Sequence, residues 1–354
     1  MRQEHFADDS SVTAISIPRT AISAWLLMAI GCASTPTRQL DRFEFSQAQM
    51  GLDFRITLFA PNEATARGAV EAAYARIAEL NAVLSDYDAD SELSKLSQSA
   101  GSTEWKHCSP DLWRVLETGQ RIARDSKGAF DLTIGPSVNL WRRARRQQLL
   151  PSAELLTAMR DRVGYQNLEL DPDRQSARLL KPDMRLDAGG IAKGYALDEA
   201  LAVLRNKGIN RVMIHAGGDM IFADPPPNRD GWRIELPGYG SNTVPTLLSL
   251  ANRSLATSGD LFQFVEIDGV RYSHIVDPHT GIGLTNRCLV HVVAPQGIIA
   301  DGLSKALSVS GGDLGLRLIR QYPGAEFRLT YQNAAALPAI DSPGFSRYLA
   351  SERP

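Results

Sequence analysis

The chain has 354 residues, with 38 Lys and Arg against 40 Asp and Glu, a net charge of −2 and a hydrophobic share of 44%. That length suits one large domain or two closely joined ones, and that apolar share is enough for a sizeable core. The near-neutral charge excludes a general nucleic-acid-binding surface, which needs clustered positive charge, and the composition excludes a mainly disordered chain.

The amino terminus reads as an address. Ala21–Ala33 (AISAWLLMAIGCA) is an apolar run of 13 residues, shorter than the ~20 that span a bilayer as a helix. Arg19 precedes it and Gly31-Cys32 ends it, the shape of a secretory signal. A cysteine directly after a small residue resembles a bacterial lipobox, which makes Cys32 the lipidated first residue of the mature protein. Ala29 stands where leucine is usual, and Asp8 and Asp9 lie in a long leader, a pattern that a start codon placed too early produces. A buried helix of a cytoplasmic protein is the competing reading. The organisation expected is a signal segment over 1–32, a polar tether over 33–42 and one domain over 43–354.

Gln47–Phe59 alternates from Met50 onward and predicts a half-buried strand. Asn62 caps a helix to about Leu84, with Ala66, Ala69, Val70, Ala73, Ile77 and Leu80 on one stripe. A polar turn (Leu84–Asp88) follows, then a short helix opened by Ser91 and Ser94, then a helix over Asp111–Asp125. Gly128–Trp141 (GAFDLTIGPSVNLW) reads as a shaped loop. The RRARR run at Arg142–Arg146 reads as a solvated helix face, with a patch for an acidic partner or lipid headgroups as the alternative. Short strands are expected near Leu168–Leu170 and Ala177–Leu180. Further strands are expected over Arg211–His215, Trp232–Leu236, Leu247–Leu250, Tyr272–Val276 and Cys288–Val293. Helices are expected over Ile191–Asn206, Ile298–Ser308 and Leu314–Tyr322. This mixture lacks strict alternation, so the fold class is α+β rather than a doubly wound sheet. Cys32, Cys108 and Cys288 form no CxxC pair, which leaves a structural zinc or redox motif unsupported. Cys108 and Cys288 read as inert packing residues, with a disulfide between them left open to an oxidising compartment.

The chemistry-bearing clusters are GAFDLTIGP with Asp131, DAGGIAKGYALD from Asp187, HAGGD from His215, SHIVDPHTG with His274 and Asp277, and ADGLSK with Asp301. Glycine pairs at a helix start let a backbone approach an anion, and Lys193 can reach the same anion. Asp187, Asp219, Asp277 and Asp301 are carboxylates of the kind Mg²⁺ takes alongside a substrate phosphate. There is no Walker A order, no GxGxxG after a strand, no HExxH and no GxSxG. Each cluster alone is as well explained by turns, caps or a core histidine.

Together, and in this order with ATSGD (Ala256–Asp260) among them, they resemble the ApbE family of FAD:protein FMN transferases over about Phe43–Tyr331. The resemblance implies a single ApbE-like, T-fold-related domain. It implies binding of FAD and Mg²⁺, transfer of FMN to a Ser or Thr hydroxyl of an acceptor flavoprotein of a membrane redox complex, and release of AMP. It also implies a lipid anchor at the periplasmic face of the bacterial inner membrane. By motif position, Asp187 and Lys193 contact FAD; Met50 and Tyr87 line the flavin or adenine pocket; Ala129, Phe130 and Asp131 hold the nucleotide. His274 and Ile275 sit near the pyrophosphate, with His274 the general base. The Gly190 carbonyl and Asp301 ligate Mg²⁺. The family pattern has a threonine four residues after that aspartate, where this chain has Lys305. An ammonium cannot ligate Mg²⁺. Either Lys305 points away, or its charge partly replaces the metal. A Mg²⁺-dependent FAD pyrophosphatase and a non-catalytic FAD-binding protein are the competing functions.

Overall fold

The structure is a computed structural model that describes residues 40–238, 246–261, 263–332 and 339–350. The expected signal segment and most of the tether lie outside the described residues. In place of one strand over Gln47–Phe59 there are two, β1 (Asp41–Gln49) and β2 (Leu52–Ala60), antiparallel with Gln49 opposite Leu52. Met50 (φ 50°) and Gly51 (φ 74°) make the two-residue turn. Such a turn needs positive φ at both central residues, and methionine carries no signal for that, so the alternation runs through it in the sequence.

The capping predictions hold. The Asn62 side chain accepts from Thr65 N at 2.9 Å and starts α1 (Glu63–Leu84). Ser91 accepts from Ser94 N at 3.0 Å and starts α2 (Glu92–Gln98). After β3 (Lys106–His107), Ser109 caps α3 (Pro110–Asp125). The loop expected to reach Trp141 ends sooner, because α4 (Gly135–Gln147) begins at Gly135 with Pro136 in its first turn, where a missing N–H is harmless. Ser137, Trp141 and Ala144 are buried at helical spacing. The upstream Gly and Pro obscure that signal in the sequence. RRARR is therefore not one solvated face. Arg143 and Arg146 are exposed, while Arg142 and Arg145 turn toward a cavity. The next helix, α5 (Ala153–Arg160), buries nothing and leaves no apolar stripe to read.

β4 (Leu168–Asp171) and β5 (Ser176–Leu179) form a small sheet with β3. Then come α6 (Ala192–Asn206), β6 (Val212–Ala216), β7 (Asp219–Phe222), β8 (Trp232–Leu236), β9 (Thr246–Leu250) and β10 (Arg253–Gly259). They are followed by β11 (Phe264–Ile267), β12 (Val270–Ser273), β13 (Cys288–Ala294), α7 (Gly297–Ile319), β14 (Glu326–Tyr331) and β15 (Ile340–Asp341). β12 stops at Ser273 rather than Val276, since the chain turns over Asp277–Gly281, with Gly281 at φ 79°. The two helices predicted between Ile298 and Tyr322 are joined in α7 and broken at Gly311 (φ 72°, ψ −170°).

Among the described residues, eight strands form one antiparallel sheet in the order β1-β2-β6-β7-β10-β13-β14-β15. One face packs under α1, α6 and α7 through Phe54, Ile56, Ile214, Val290 and Val292. The other carries the β8–β9 hairpin through Trp232, Leu248 and Leu250 against Phe222, Leu255 and Val293. The class is α+β. Cys108 and Cys288 are free and buried, so no disulfide joins them, and burial pushes both thiols up to about 12.

Candidate active site

A close helix crossing organises the site. A Cβ at Gly194 would lie 2.1 Å from Gly297 O, and one at Gly297 would lie 2.3 Å from Gly194 O. Only glycines let the backbones of α6 and α7 meet this way. Asp198 fastens the crossing, its two oxygens accepting Gly297 N at 2.6 Å and Ile298 N at 2.9 Å at the start of α7.

The crossing places Asp301, one turn into α7, against the first turn of α6. Asp301 Oδ2 accepts Gly194 N at 3.1 Å and Lys193 Nζ at 3.2 Å, and Oδ1 accepts Lys305 Nζ at 2.9 Å. Lys193 also pairs with Asp219 Oδ2 at 2.9 Å. Lys305 Nζ further donates to Ser258 Oγ at 2.6 Å and Ser304 Oγ at 3.2 Å, and those two hydroxyls bond each other at 2.6 Å. Asp301 is 0% exposed. Burial pushes its pKa up, but the two ammonium groups and the Gly194 N–H outweigh burial and hold it at about 2. Burial and the Asp301 charge raise that of Asp219, whose Oδ1 is buried without a partner.

Mg²⁺ asks for oxygen donors in a near-octahedral set. At Asp301 both oxygens already accept from donors, and position 305 supplies an ammonium. The expected set of Gly190, Asp301 and residue 305 does come together: a Cβ at Gly190 would sit 3.3 Å from Lys305 Cγ and 3.2 Å from Phe130 Cε2. It assembles as an ion pair under a glycine loop, and these residues do not fit the metal there.

Above this cluster opens a cavity of about 730 Å³, within the range that holds cofactor-sized ligands. Every residue that the family resemblance places in the site lines it except Asp301, which lies behind the two lysines. Met50 enters from the β1–β2 turn. Ala129 and Phe130 enter from the loop before α4. Asp131 shapes that loop: Oδ1 accepts Thr133 N and Oγ1 at 2.7 Å, and Oδ2 accepts Tyr165 N at 2.8 Å. Its carboxylate is thereby committed to the loop rather than free to hold a ligand. Asp277, the remaining carboxylate candidate, is likewise used in a turn, accepting His279 N at 2.8 Å.

His274 is half-buried at the cavity wall, next to buried Ile275. Its Nδ1 lies 3.2 Å from Gln263 O. A proton on Nδ1 satisfies that contact and leaves Nε2 as an acceptor. Burial, then the Lys305 charge, push its pKa down to about 4.

At the opposite wall Arg142 bridges Asp86 and Asp187, with Nη2 3.1 Å from Asp187 Oδ2. Its guanidinium lies 4.4 Å from the Tyr87 ring centroid, and Tyr87 is 78% exposed. Asp187 Oδ1 accepts Gly189 N at 2.8 Å and so holds the glycine turn that enters α6. Sequence reasoning did not assign Arg142, Asp86 or Ser258 to the site. The Leu84–Asp88 turn and the ATSGD segment contain two of them, but nothing local says that Arg142 leaves a basic run to reach two carboxylates distant in the chain.

A profile of the ApbE family matches residues 50–329. The chain belongs to the ApbE family. A FAD:protein FMN transferase of Vibrio cholerae is 33% identical over 301 residues, covering 83% of this chain and 87% of that one. One of Escherichia coli K12 is 27% identical over 350 residues, covering 96% and 99%. Among solved structures, the flavin transferase ApbE of Vibrio cholerae superimposes with a TM-score of 0.79 at 28% identity, covering 88% of this chain and 100% of that one. The apo flavinyl transferase ApbE of Pseudomonas stutzeri gives 0.78 at 25% identity, covering 89% and 99%.

Proposed function

We infer that this ApbE-family chain is a transferase that moves FMN from FAD to a Ser or Thr hydroxyl of an acceptor flavoprotein, releasing AMP. The observation that carries the reading is the single cavity into which the family's separated motifs bring Tyr87, Phe130, Gly190, Lys193 and His274. Two ammonium groups and the glycine turn at the start of α6 suit a pyrophosphate. The exposed Tyr87 ring suits stacking on a planar heterocycle. His274 accepts the hydroxyl proton on Nε2 as the oxygen attacks the FMN-side phosphorus. The bond from that phosphorus to the bridging oxygen breaks, and its electron pair leaves with AMP. Catalysis of this kind is mainly positioning and charge stabilisation. No step is routed through Mg²⁺, because the donors at Asp301 and Lys305 do not fit it.

The test is incubation of the full chain with FAD and a candidate acceptor domain, read by intact mass. An acceptor heavier by one FMN, with AMP released, is the expected result. FMN and AMP with no labelled acceptor would leave a pyrophosphatase or the wrong acceptor, and intact bound FAD would make the chain a carrier. Export and lipid anchoring at Cys32 belong to the same reading, supported by the short apolar run of Ala21–Ala33 before a cysteine. The expected result is a membrane-bound protein with a lipid-modified amino-terminal Cys32, released by Cys32→Ser. A soluble, unmodified protein would remove this part.

A further inference from the structure

We propose that the side-chain ammonium of Lys305 takes the place of a divalent cation in this site, so that FAD binds and reacts here without Mg²⁺. This rests on the flavin site described above. Lys305 projects from α7 into the cavity, and its stem passes through the gap that Gly190 leaves open beside Phe130. Its Nζ sits on Asp301 Oδ1 at 2.9 Å, so the carboxylate that would ligate a metal already has its cation, covalently tethered. Lys193 holds the other oxygen. Two ammonium groups face two carboxylates, Asp219 and Asp301, and the buried cluster is neutral before any metal enters. A divalent ion would have to displace an ammonium group to reach Asp301, because both carboxylate oxygens are taken. A pyrophosphate reaches the two ammonium groups at the cavity floor, with Asp301 buried behind them.

The ammonium also has a donor to give. Its contacts with Ser258 and Ser304 are to hydroxyls that already bond each other. A phosphate oxygen can replace either hydroxyl on Lys305 without leaving that hydroxyl unpartnered. During transfer the oxygen–phosphorus bond forms from the acceptor hydroxyl, its proton goes to His274, and the bridging P–O bond breaks toward AMP. Lys305 and Lys193 donate hydrogen bonds to the departing phosphate and offset the charge gathering on it, the office a metal ion otherwise performs.

The experiment measures FAD affinity of the full chain by flavin fluorescence, in EDTA and with Mg²⁺, for the natural protein and for Lys305→Thr. The natural protein is expected to bind FAD equally in both. Lys305→Thr is expected to bind at least ~10-fold more weakly in EDTA and to recover with Mg²⁺. Calorimetry of Mg²⁺ into the FAD-loaded natural protein needs no variant and is expected to show no binding. Mg²⁺ binding there, lost in Asp219→Asn, would place a metal on the unpartnered Asp219 oxygen and overturn the proposal. So would a Mg²⁺-dependent FAD affinity in the natural protein. Acceptor labelling, followed by intact mass in the same samples, separates the two readings. Metal-independent FAD binding and cleavage to FMN and AMP without any labelled acceptor would sink the transferase and leave the role of Lys305 standing.

Discussion

His274 works as a base only when neutral, and its surroundings keep it so. A free imidazole titrates near ~6.5, whereas burial and Lys305 bring His274 to about 4. The protonated form therefore gathers only in acid. The value of kcat/KM for FMN transfer is expected to stay level from neutral pH to about 5 and to fall near 4, where the group titrates. A pH–rate profile that breaks near ~6.5 would show that burial and Lys305 do not depress this imidazole. His274→Gln is expected to lower transfer by ~10²–10⁴ while FAD affinity holds. Arg142 matters in a different way. It neutralises two carboxylates that are 10% and 7% exposed, Asp86 and Asp187. Arg142→Ala leaves them facing each other, at a cost of up to about 3 kcal/mol. Burial and the Asp86 charge already raise the pKa of Asp187, and protonating it relieves the repulsion, so the loss is expected to be larger at pH 7 than at pH 5. Urea denaturation at the two pH values checks this, and an equal loss at both would mean that the guanidinium acts by packing alone.

The α6–α7 crossing is where an element-level change reaches the site. A Cβ on Gly194 would meet Gly297 O at 2.1 Å and Asp301 Cβ at 2.8 Å. Gly194→Ala must push the helices apart, at about 1–3 kcal/mol by the usual toll of overpacking. It also draws the Gly194 N–H from Asp301, so FAD affinity is expected to fall with stability. Gly68, exposed within α1, has nothing within 4 Å of where a Cβ would go. Gly68→Ala is expected to stabilise by up to ~1 kcal/mol with FAD affinity unchanged. If both variants lowered affinity alike, the crossing would have no special hold on the site. Helices with a side-chain cap or an apolar stripe were legible in the sequence, α1 by both and α6 by its stripe alone. α4 was not, because the residues that open it are also turn formers, and its burial is spread over Ser137, Trp141 and Ala144. β1 was hidden because its turn is made by a methionine at positive φ, and α5 because it buries nothing.

At the scale of the molecule, the sequence contained the pieces of the site but not their joining. Each of Asp187, His274 and Asp301 stood in a recognisable segment, and the resemblance to one family supplied the idea that the segments converge. What no segment reveals is which side chains bind each other across the chain: Lys305 to Ser258, Arg142 to Asp86, Lys193 to Asp219. The two lysine pairings follow from the sheet order and the helix crossing, and the arginine pairing from the way α4 faces the turn after α1. The cavity they surround draws on α1, α4, α6, β10 and α7 together, so a ligand filling it ties the main helices to the sheet. Binding to the folded state alone stabilises by about 2.7 kcal/mol at a hundredfold excess over Kd. The melting temperature is therefore expected to climb with the logarithm of FAD concentration, and to do so in EDTA as well as in Mg²⁺. FMN, which lacks the pyrophosphate that the two lysines face, is expected to raise it less. A thermal-shift titration reads all three. Equal shifts from FMN and FAD would show that the lysine cluster contributes nothing to recognition, and the cavity would then be a flavin pocket without its phosphate subsite.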